Sequence, residues 1–378
     1  MHGRGSCVPS GSFARGAARK WGGRVLLVGV LLVGAAVVIV SALSVFAGHD
    51  PARVLGALWS GSLGSPYAIF SATLVRATPL ILTGLAVALA FTAGVMNVGA
   101  EGQLLAGAAA ATALGLETRG MSGWLTIPLA LIAGAVAGAV WASVPGWLRR
   151  RFGVLEVIST IMMNFVALYL VGYLVRGPLQ EPLGIYPQSS PLPDTVRLPL
   201  LGGTRLHIGF VLALACALGA WWVLRATAAG FRVRVIGANP DAARSAGMID
   251  VGRTMFRTFL LSGALAGLAG AVEVMGVTYS LYENLSPGYG YTAIAVALVG
   301  ALHPLLTAVS GVFFGALEAG AAAIQRDAGV PSVLATVVEA ALILLLLATV
   351  AIRARWRRPN PVAVASLISL PAPAGDRS

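Results

Sequence analysis

The chain has 378 residues, of which 57% are hydrophobic and only 11% are charged. Soluble domains carry roughly 25% charged residues, so this composition excludes an ordinary soluble globular protein. Apolar runs of about 18 residues or more recur along the chain, and runs of that length are typical of membrane-spanning helices. The sequence therefore predicts an all-α polytopic membrane protein.

The net charge of +12 is the second constraint. Basic chains sometimes bind nucleic acid, but Lys and Arg also concentrate in the cytoplasmic loops of membrane proteins. The hydropathy favours the second interpretation, so we expect contact with membrane lipid and no nucleic-acid partner.

Ten membrane spans are predicted after a basic N-terminal tail. The first apolar run is longer than the roughly 7–15 residue core of a cleaved signal peptide, so we interpret it as an uncleaved span. The transmembrane domain covers 25–352, between a disordered cytoplasmic tail at 1–24 and a second cytoplasmic tail at 353–378. The spans are 25–47, 68–93, 98–116, 124–146, 154–175, 208–226, 255–277, 289–302, 305–326 and 331–352.

Basic residues orient the spans. With a cytoplasmic N-terminus, nineteen of the 26 Lys and Arg residues fall in cytoplasmic segments and six in external segments, while Arg76 falls inside a span. Positive charge favours the cytoplasmic side, so both termini and the loop 227–253 are predicted to be cytoplasmic. The loop 176–206 is then external, and its prolines would give a soluble binding protein a stiff surface.

The eighth span is unusually short. Residues 289–302 would form about 20 Å of helix, whereas the hydrocarbon core is about 30 Å thick. A Pro-Gly pair at 287–288 precedes this span, and a His-Pro pair at 303–304 ends it. The pattern predicts a short or broken helix, which a membrane protein tolerates only where protein or a watery cavity covers the backbone.

A polar segment before the third span is the first candidate for lining a pathway through the membrane. The stretch GVMNVGAEGQ (94–103) places Asn97, Glu101 and Gln103 among glycines between two spans. Irregular polar backbone of this kind suits a cavity wall. Helix capping at the start of the third span is the alternative role for Asn97 and Glu101.

Three further side chains are candidates for the same pathway. Asn164 lies inside the fifth span, and Tyr289 and Tyr291 stand at the entrance of the eighth. The tyrosine rings would stack on a base or a sugar, or else belong to the tyrosine belt that is common at membrane interfaces.

Glycine spacing predicts where helices pack closely. Gly134 and Gly138 in the fourth span, and Gly263 and Gly267 in the seventh, have the small-xxx-small spacing that lets two helix backbones approach. Spans two to five and spans seven to ten also form two blocks that enter from opposite sides. This arrangement would suit an inverted repeat of the kind found in transporters.

The polar stretch RVRVIGANPDAARSAGMI (232–249) predicts a two-turn helix in the cytoplasmic loop. Asn239 suits the N-cap, Pro240 the first helical position, and Asp241 the positive end of the helix dipole. A helix this short is unstable alone in water, so it must pack either on its own membrane domain or on another protein.

The end and the surface of this short helix are also predicted. It ends at Ala246, because Gly247 suits the position after the last turn. Ala242 and Ala243 are small enough for close seating in the cleft of a partner. Arg244 would then face an acidic rim of that cleft, although an exposed ion pair adds only about 0–1 kcal/mol.

The sequence provides no site for ATP hydrolysis or other catalysis. A P-loop requires Gly-Lys-Ser/Thr, yet the one lysine, Lys20, is followed by Trp21. No zinc signature and no nucleophile elbow is present, so we expect neither enzyme activity nor a metal or cofactor bound by this chain. The four histidines are scattered in loops or at span ends, and we interpret all of them as solvated loop residues; they are His2, His49, His207 and His303.

Five segments closely resemble the permease subunits of ABC importers for nucleosides and simple sugars, a branch related to ribose and branched-chain amino acid permeases. The resemblance runs from about residue 70 to 350, and the two tails have no family pattern. The segments are RATPLILTGLAVALAFTAGVMNVGAEGQ (76–103), EVISTIMMNFVALYLVGYLV (156–175), RVIGANPDAARSAGMI (234–249), LSGALAGLAGAVEVMGV (261–277) and GYGYTAIAVALVGALHP (288–304).

The resemblance implies ten spans, the fold of the vitamin B12 importer permease, and import of nucleosides or simple sugars across a bacterial plasma membrane. It implies that 239–247 is a coupling helix seated in a cleft of an ABC ATPase subunit, which would use the ATP. A second permease, often a different chain, and an external substrate-binding lipoprotein would complete the complex. The main alternative is a secondary transporter of a small polar solute that works without an ATPase.

Overall fold

The computed structural model describes residues 48–245, 247 and 250–329, together with residues 34, 37–42, 44–46, 337, 340 and 341. The predicted tails, and most of the first and tenth predicted spans, lie outside the described residues. The chain divides into two compact units. The larger unit, Ala52–Ser332, carries all the sites below, and the smaller one contributes helical residues at 37–42 and 44–46.

The described residues of the larger unit form helices and connecting segments without a β-strand. Two of the helices contain a π-helical turn, at Ile69–Thr73 in α2 and at Val274–Thr278 in α9. The helices are α1 Pro51–Ser62, α2 Pro66–Thr92, α3 Ala100–Glu117, α4 Gly123–Phe152, α5 Glu156–Arg176, α6 Gly209–Ala226, α7 Ala228–Ala238, α8 Pro240–Ser245, α9 Val251–Thr278, α10 Tyr289–Val299 and α11 Pro304–Ala328.

Six of these helices are long and apolar enough to cross a membrane, namely α2, α4, α5, α6, α9 and α11. The protein is therefore a multi-pass membrane protein. Eight of the ten predicted spans coincide with described helices, whereas α1 and α7 were not predicted. The total of ten spans, the inverted repeat and the likeness to the vitamin B12 importer permease stay predictions.

The helices divide into a buried centre and a more exposed periphery. In the most apolar window of α2, 83% of the residues are buried inside the chain, against 22% for α4 and for α6. α3 is also buried along most of its length, although its first turn carries Glu101 and Gln103. Since lipid accepts apolar side chains, α4, α5 and α6 expose theirs while α2, α3 and α9 form the core.

The glycine spacing brings α4 and α9 into backbone contact, as predicted. A Cβ atom added at Gly138 would lie 2.7 Å from the Cα atom of Gly267, and one added at Gly134 would lie 2.6 Å from Ala271 Cβ. These distances leave no room for a side chain. The close approach fixes α9 between α4 and the other core helices.

The predicted short eighth span is an eleven-residue helix, α10. It ends because Ala301 and Leu302 adopt left-handed backbone angles, with φ of 50° and 58°. Pro304 then begins α11. At about 1.5 Å per residue, α10 is roughly 16 Å long and covers only half of a membrane about 30 Å thick.

Candidate functional site

The segment 94–99 leads from the end of α2 into the middle of the helix bundle. It starts at the end of the bundle that carries α7 and α8, called the α8 side below. Asn97 is fully buried and bonds to Ser262, which lies eleven residues beyond Val251, the first residue of α9. Eleven residues of helix rise about 17 Å, so Asn97 lies near the middle of the membrane.

The amide of Asn97 joins three structural elements. Its Nδ2 donates to Gln103 Oε1 at 2.9 Å in α3 and to Ser262 Oγ at 2.8 Å in α9. Its Oδ1 accepts from the backbone N–H of Gly99 at 2.9 Å. Ser262 Oγ in turn donates to the carbonyl of Ala86 in α2 at 2.6 Å. One side chain therefore ties α2, α3 and α9 together.

Asn164 of α5 completes the bonding of the same irregular segment. Its Oδ1 accepts from the N–H of Gly102 at 2.8 Å, and its Nδ2 donates to the carbonyl of Val98 at 3.0 Å. The same Nδ2 lies 3.3 Å from the hydroxyl of Tyr291 in α10. Asn164 thus connects the first turn of α3 to the first turn of α10.

Glu101 caps a helix, but the helix is α10 and not α3. Its Oε2 accepts from the backbone N–H of Gly290 at 2.6 Å. The hydroxyl of Ser286 lies beside this carboxylate and also accepts from the N–H of Tyr289 at 3.0 Å. A carboxylate at a helix N-terminus offsets the positive end of the helix dipole, so α10 begins in the membrane interior with its orphan N–H groups satisfied.

The structure thus brings the predicted pathway residues together. Five of them are buried, and Tyr291 alone among the six is exposed, at 45%. We call this group, with Ser262, the polar cluster; it comprises Asn97, Glu101, Gln103, Asn164, Ser262, Tyr289 and Tyr291. In this conformation the four amide and carboxyl side chains bond within the chain, so contact between them and a substrate stays a prediction.

An aromatic stripe on α5 was not predicted from the sequence. Phe165, Tyr169 and Tyr173 follow one another at four-residue spacing, which places them on one side of the helix, and all three are exposed. Tyr169 lies about 10 Å from the end of α5, where a hydroxyl facing lipid would lack partners. The four-residue spacing of the aromatic residues is the signal that would have revealed this surface.

Glu156 forms a salt bridge with Arg149, one of three consecutive arginines at the end of α4. Its Oε1 lies 2.5 Å from Arg149 Nη1 and accepts from the N–H of Met96 at 3.2 Å. Glu273 is buried, and its Oε2 has no hydrogen-bond partner among the described residues.

The loop 176–206 is bonded to the segment that leads into α10. The N–H groups of Ser189, Leu192 and Leu198 donate to the carbonyls of Leu281, Tyr279 and Met275, at 2.8, 2.8 and 3.0 Å. The loop therefore rests on the connection between α9 and α10.

The prediction that every histidine is a solvated loop residue is wrong for His207. Its ring is fully buried against Gly276 and Gly209, and neither ring nitrogen has a partner among the described residues. Burial disfavours the charged imidazolium and lowers the pKa of His207 to about 4. No local pattern indicated this burial, because Gly276, which covers the ring, belongs to α9 and is distant along the chain.

The short helix α8 forms as predicted at its start. Asn239 Oδ1 accepts from the N–H groups of Asp241 and Ala242, each at 3.0 Å, which is the N-cap arrangement. α8 covers Pro240–Ser245, and Gly247 has a left-handed φ of 68°. The predicted last residue of the helix, 246, lies outside the described residues.

The expected seating of Ala243 in a partner needs correction. Ala243 is only 1% exposed, because it packs against Ile236 of α7 and Val251 of α9. Ala243 therefore fixes α8 to its own chain. Packing on the membrane domain and docking on another protein need not exclude each other. The face left open carries Pro240, Asp241, Ala242, Arg244 and Ser245.

Comparison with known proteins decides the family. A family model described as the permease component of branched-chain amino acid transport systems matches residues 69–347, which hold α3 to α11 and nearly all of α2. This chain belongs to that permease family.

Three curated ABC transporter permeases are similar to this chain over most of its length. It is 38% identical over 327 residues to the guanosine ABC transporter permease of Bacillus subtilis, covering 85% of this chain and 91% of the relative. It is 38% identical over 309 residues to a glucose ABC transporter permease of Haloferax volcanii, covering 79% and 80%. A nucleoside ABC transporter permease of Lactococcus lactis is 31% identical over 309 residues, covering 79% and 84%.

The polar cluster and the region of α7 and α8 are connected at the end of α2. Gly237 of α7 lies against the carbonyl of Thr92, and a Cβ atom at Gly237 would overlap that oxygen. The segment 94–99 starts directly after this contact and ends in the polar cluster. A displacement of α7 and α8 would therefore reach Asn97 through only a few residues of continuous backbone.

Proposed function

We propose that this permease is the membrane-spanning subunit of an ATP-driven ABC importer, which carries nucleosides, or else simple sugars, into the bacterial cytoplasm. The 38% identity to a guanosine permease and to a glucose permease supports this substrate range. The permease binds no cofactor itself, and a separate ABC ATPase subunit hydrolyses the ATP.

The observation that carries the proposal is α8. A six-residue helix is far too short to be stable alone, yet its N-cap is complete and Ala243 anchors it to α7 and α9. It still leaves one face fully open, and α7 connects it to α2. These properties fit a coupling helix that receives the movement of an ATPase on the cytoplasmic side.

In this proposal the substrate pathway passes two sets of exposed aromatic rings, one on α5 and one on α10. Tyr291 and the stripe of Phe165, Tyr169 and Tyr173 offer aromatic rings, and a base or a sugar ring stacks on such rings. Asn97, Glu101 and Gln103 are buried behind the first turn of α10. They hold the start of α10 and enter the pathway themselves when that start moves.

Two further partners are part of the proposal. A second permease subunit, a different chain in our proposal, covers exposed apolar helix faces of this one, so that the pathway lies between the two. An external substrate-binding lipoprotein docks on 176–206, whose backbone bonds to 275–281 relay docking to α10. Both termini of the permease are cytoplasmic, in line with the distribution of Arg and Lys.

A charge on the open face of α8 tests the coupling role. Ala242→Glu places a carboxylate on that face, and we expect loss of ATPase co-purification and of substrate-stimulated ATP hydrolysis, with normal membrane insertion and thermal stability. Ala229→Glu is the matched control, since Ala229 is an exposed alanine in the first turn of α7. Ala243→Glu is unsuitable, because Ala243 is buried. Normal stimulated hydrolysis by Ala242→Glu would remove α8 as the transmission point.

The alternative is a secondary transporter, and it makes a separate prediction. Proteoliposomes containing this chain alone would then take up substrate when an ion gradient is imposed. Under our proposal they take up substrate only when the ATPase and ATP are supplied with the complete complex.

A further inference from the structure

A cavity with a positively charged wall lies on the α8 side of the bundle. Its volume is about 250 Å³. Its lining includes Arg149 and Arg150 at the end of α4 and Arg244 in α8. Phe256 and Phe259 of α9 also line it. We call it the arginine cavity.

The charges in the arginine cavity do not cancel. Its one carboxylate, Glu156, is bonded to Arg149 at 2.5 Å and also accepts from a backbone N–H. Arg244 pairs with Asp241, but both side chains are mostly exposed and the pair is weak. Arg150 has no salt bridge to a carboxylate in the part of the chain that the structure describes. The cavity therefore attracts an anion.

The position of the cavity identifies the source of that anion. Trp147 and Phe152, in the last turns of α4, are exposed and form an edge-to-face pair with centroids 5.4 Å apart. Exposed aromatic rings beside arginines at the end of a membrane helix are typical of the level of the lipid headgroups. The aromatic wall of the cavity also suits the glycerol backbone of a lipid better than a fully hydrated ion.

We propose that the arginine cavity binds the phosphate of an anionic phospholipid from the same membrane leaflet. Guanidinium groups bind phosphate with paired charge-assisted hydrogen bonds, and basic pockets between membrane helices hold lipid headgroups. Arg149 neutralises Glu156, so Arg150 and Arg244 are left to bind the phosphate.

The bound lipid connects α4 to the coupling helix. Arg149 and Arg150 belong to α4 while Arg244 belongs to α8, so one phosphate between them holds α8 against the bundle. This consequence rests on the proposed role of α8, whereas the lipid site itself does not. The bound lipid would make ATPase docking stronger in membranes that contain anionic lipid.

Lipid retention by the intact complex tests the site. The complex is exposed to equal amounts of phosphatidylglycerol and phosphatidylcholine in detergent, and the retained lipids are counted by native mass spectrometry. We expect selective retention of phosphatidylglycerol by the wild type and a loss of about five- to tenfold with Arg150→Gln. Arg151→Gln is the matched control, since Arg151 belongs to the same triplet but lies outside the cavity, beside the Phe152 ring. It should retain the lipid within about twofold of the wild type.

Four results would overturn the proposal. The first is a lack of preference for phosphatidylglycerol, and the second is an equal loss of lipid with Arg151→Gln. The third is displacement of the lipid by excess inorganic phosphate, which would indicate a site for the free ion. The fourth is retention of phosphatidylglycerol only after the ATPase has been stripped, which would assign the cavity to an acidic side chain of the ATPase.

A second measurement separates the site from the coupling role. ATPase retention is compared in nanodiscs with and without phosphatidylglycerol, for the wild type and for Arg150→Gln. We expect anionic lipid to raise retention by the wild type and to leave Arg150→Gln unchanged. If the lipid binds but never changes retention, the connection to α8 is wrong and the lipid site stands; if Ala242→Glu also keeps its ATPase, the proposed function itself fails.

Discussion

The polar cluster and α8 use polar residues in opposite ways. In the cluster, Asn97, Gln103 and Asn164 are buried near the middle of the membrane, and each amide bonds to other parts of the chain. On α8, Asp241 and Arg244 are 84% and 69% exposed and are paired with each other at 3.0 Å. The cluster is a closed network, whereas α8 presents an open surface.

The difference follows from the surroundings of each region. A buried polar group without a partner costs about 1–3 kcal/mol, so a network in the membrane interior must be satisfied almost completely. A charged group in water loses little when its partner is removed. We therefore expect stability to depend on the cluster, and partner binding to depend on the open face of α8.

The largest expected effect comes from opening the closed network. Asn97→Leu leaves Gln103, Ser262 and the N–H of Gly99 without their partner and should lower the free energy of unfolding by about 3–5 kcal/mol. The measurement is the thermal unfolding midpoint of the purified protein. Thr112→Val is the control, because Thr112 is equally buried in α3 but bonds only within its own helix, to Ala108. Equal losses for the two variants would contradict the idea of a connected network.

The next largest effect is expected at Glu101, where two substitutions separate its capping role from its charge. Glu101→Gln keeps an oxygen for the N–H of Gly290, whereas Glu101→Ala leaves the start of α10 uncapped at a cost of about 1–2 kcal/mol. We expect Glu101→Gln to assemble normally and Glu101→Ala to assemble poorly. Uptake is measured per assembled complex. If Glu101→Gln complexes transport at the wild-type rate, the carboxylate is not needed in the pathway and its role is structural.

Local signals in the sequence predicted local features. Asn239 and Pro240 were enough to place the start of α8, since capping depends on residues within one or two turns. The spacing of Gly134 and Gly138 was enough to predict a close helix contact. In each case the decisive interaction is short-range or periodic.

Features that depend on distant residues could not be predicted. The bond between Glu101 and Gly290 joins residues 189 positions apart, so no local pattern identifies it. Ala243 appeared free to face a partner because Ile236 belongs to α7, a helix that the polar RVRV pattern concealed. The choice between capping and pathway for Glu101 needed the position of α10.

His207 provides a third case, in which a buried polar group has no partner at all among the described residues. Its pKa in the folded protein is about 4, below the unfolded value of about 6.5. As the pH falls from about 6.5 to 4, the unfolded chain takes up a proton first, so stability is lost over this range by at most about 3 kcal/mol. Above pH 6.5 this contribution is fully present.

His207→Leu should therefore be neutral or stabilising at pH 7, because it replaces a buried polar ring with an apolar side chain of similar volume. It should also remove part of the acid sensitivity. Thermal midpoints of both proteins between pH 7 and pH 4 check this. A clear destabilisation at pH 7 would mean that the ring nitrogens bond to a group outside the described residues.

The smallest effect is expected where the open surface loses a charge. Arg244→Ala breaks the pair with Asp241, but both side chains are mostly exposed, so the free energy of unfolding should change by about 0–1 kcal/mol. A double-mutant cycle with Asp241→Ala should give a coupling energy below about 0.5 kcal/mol. In nanodiscs without anionic lipid, ATPase retention by Arg244→Ala should also exceed that by Ala242→Glu, since a lost surface charge disturbs a seated helix less than an added one. A coupling energy above about 1 kcal/mol would mean that α8 is held by its own charges, and the contrast between a closed network and an open surface would fail.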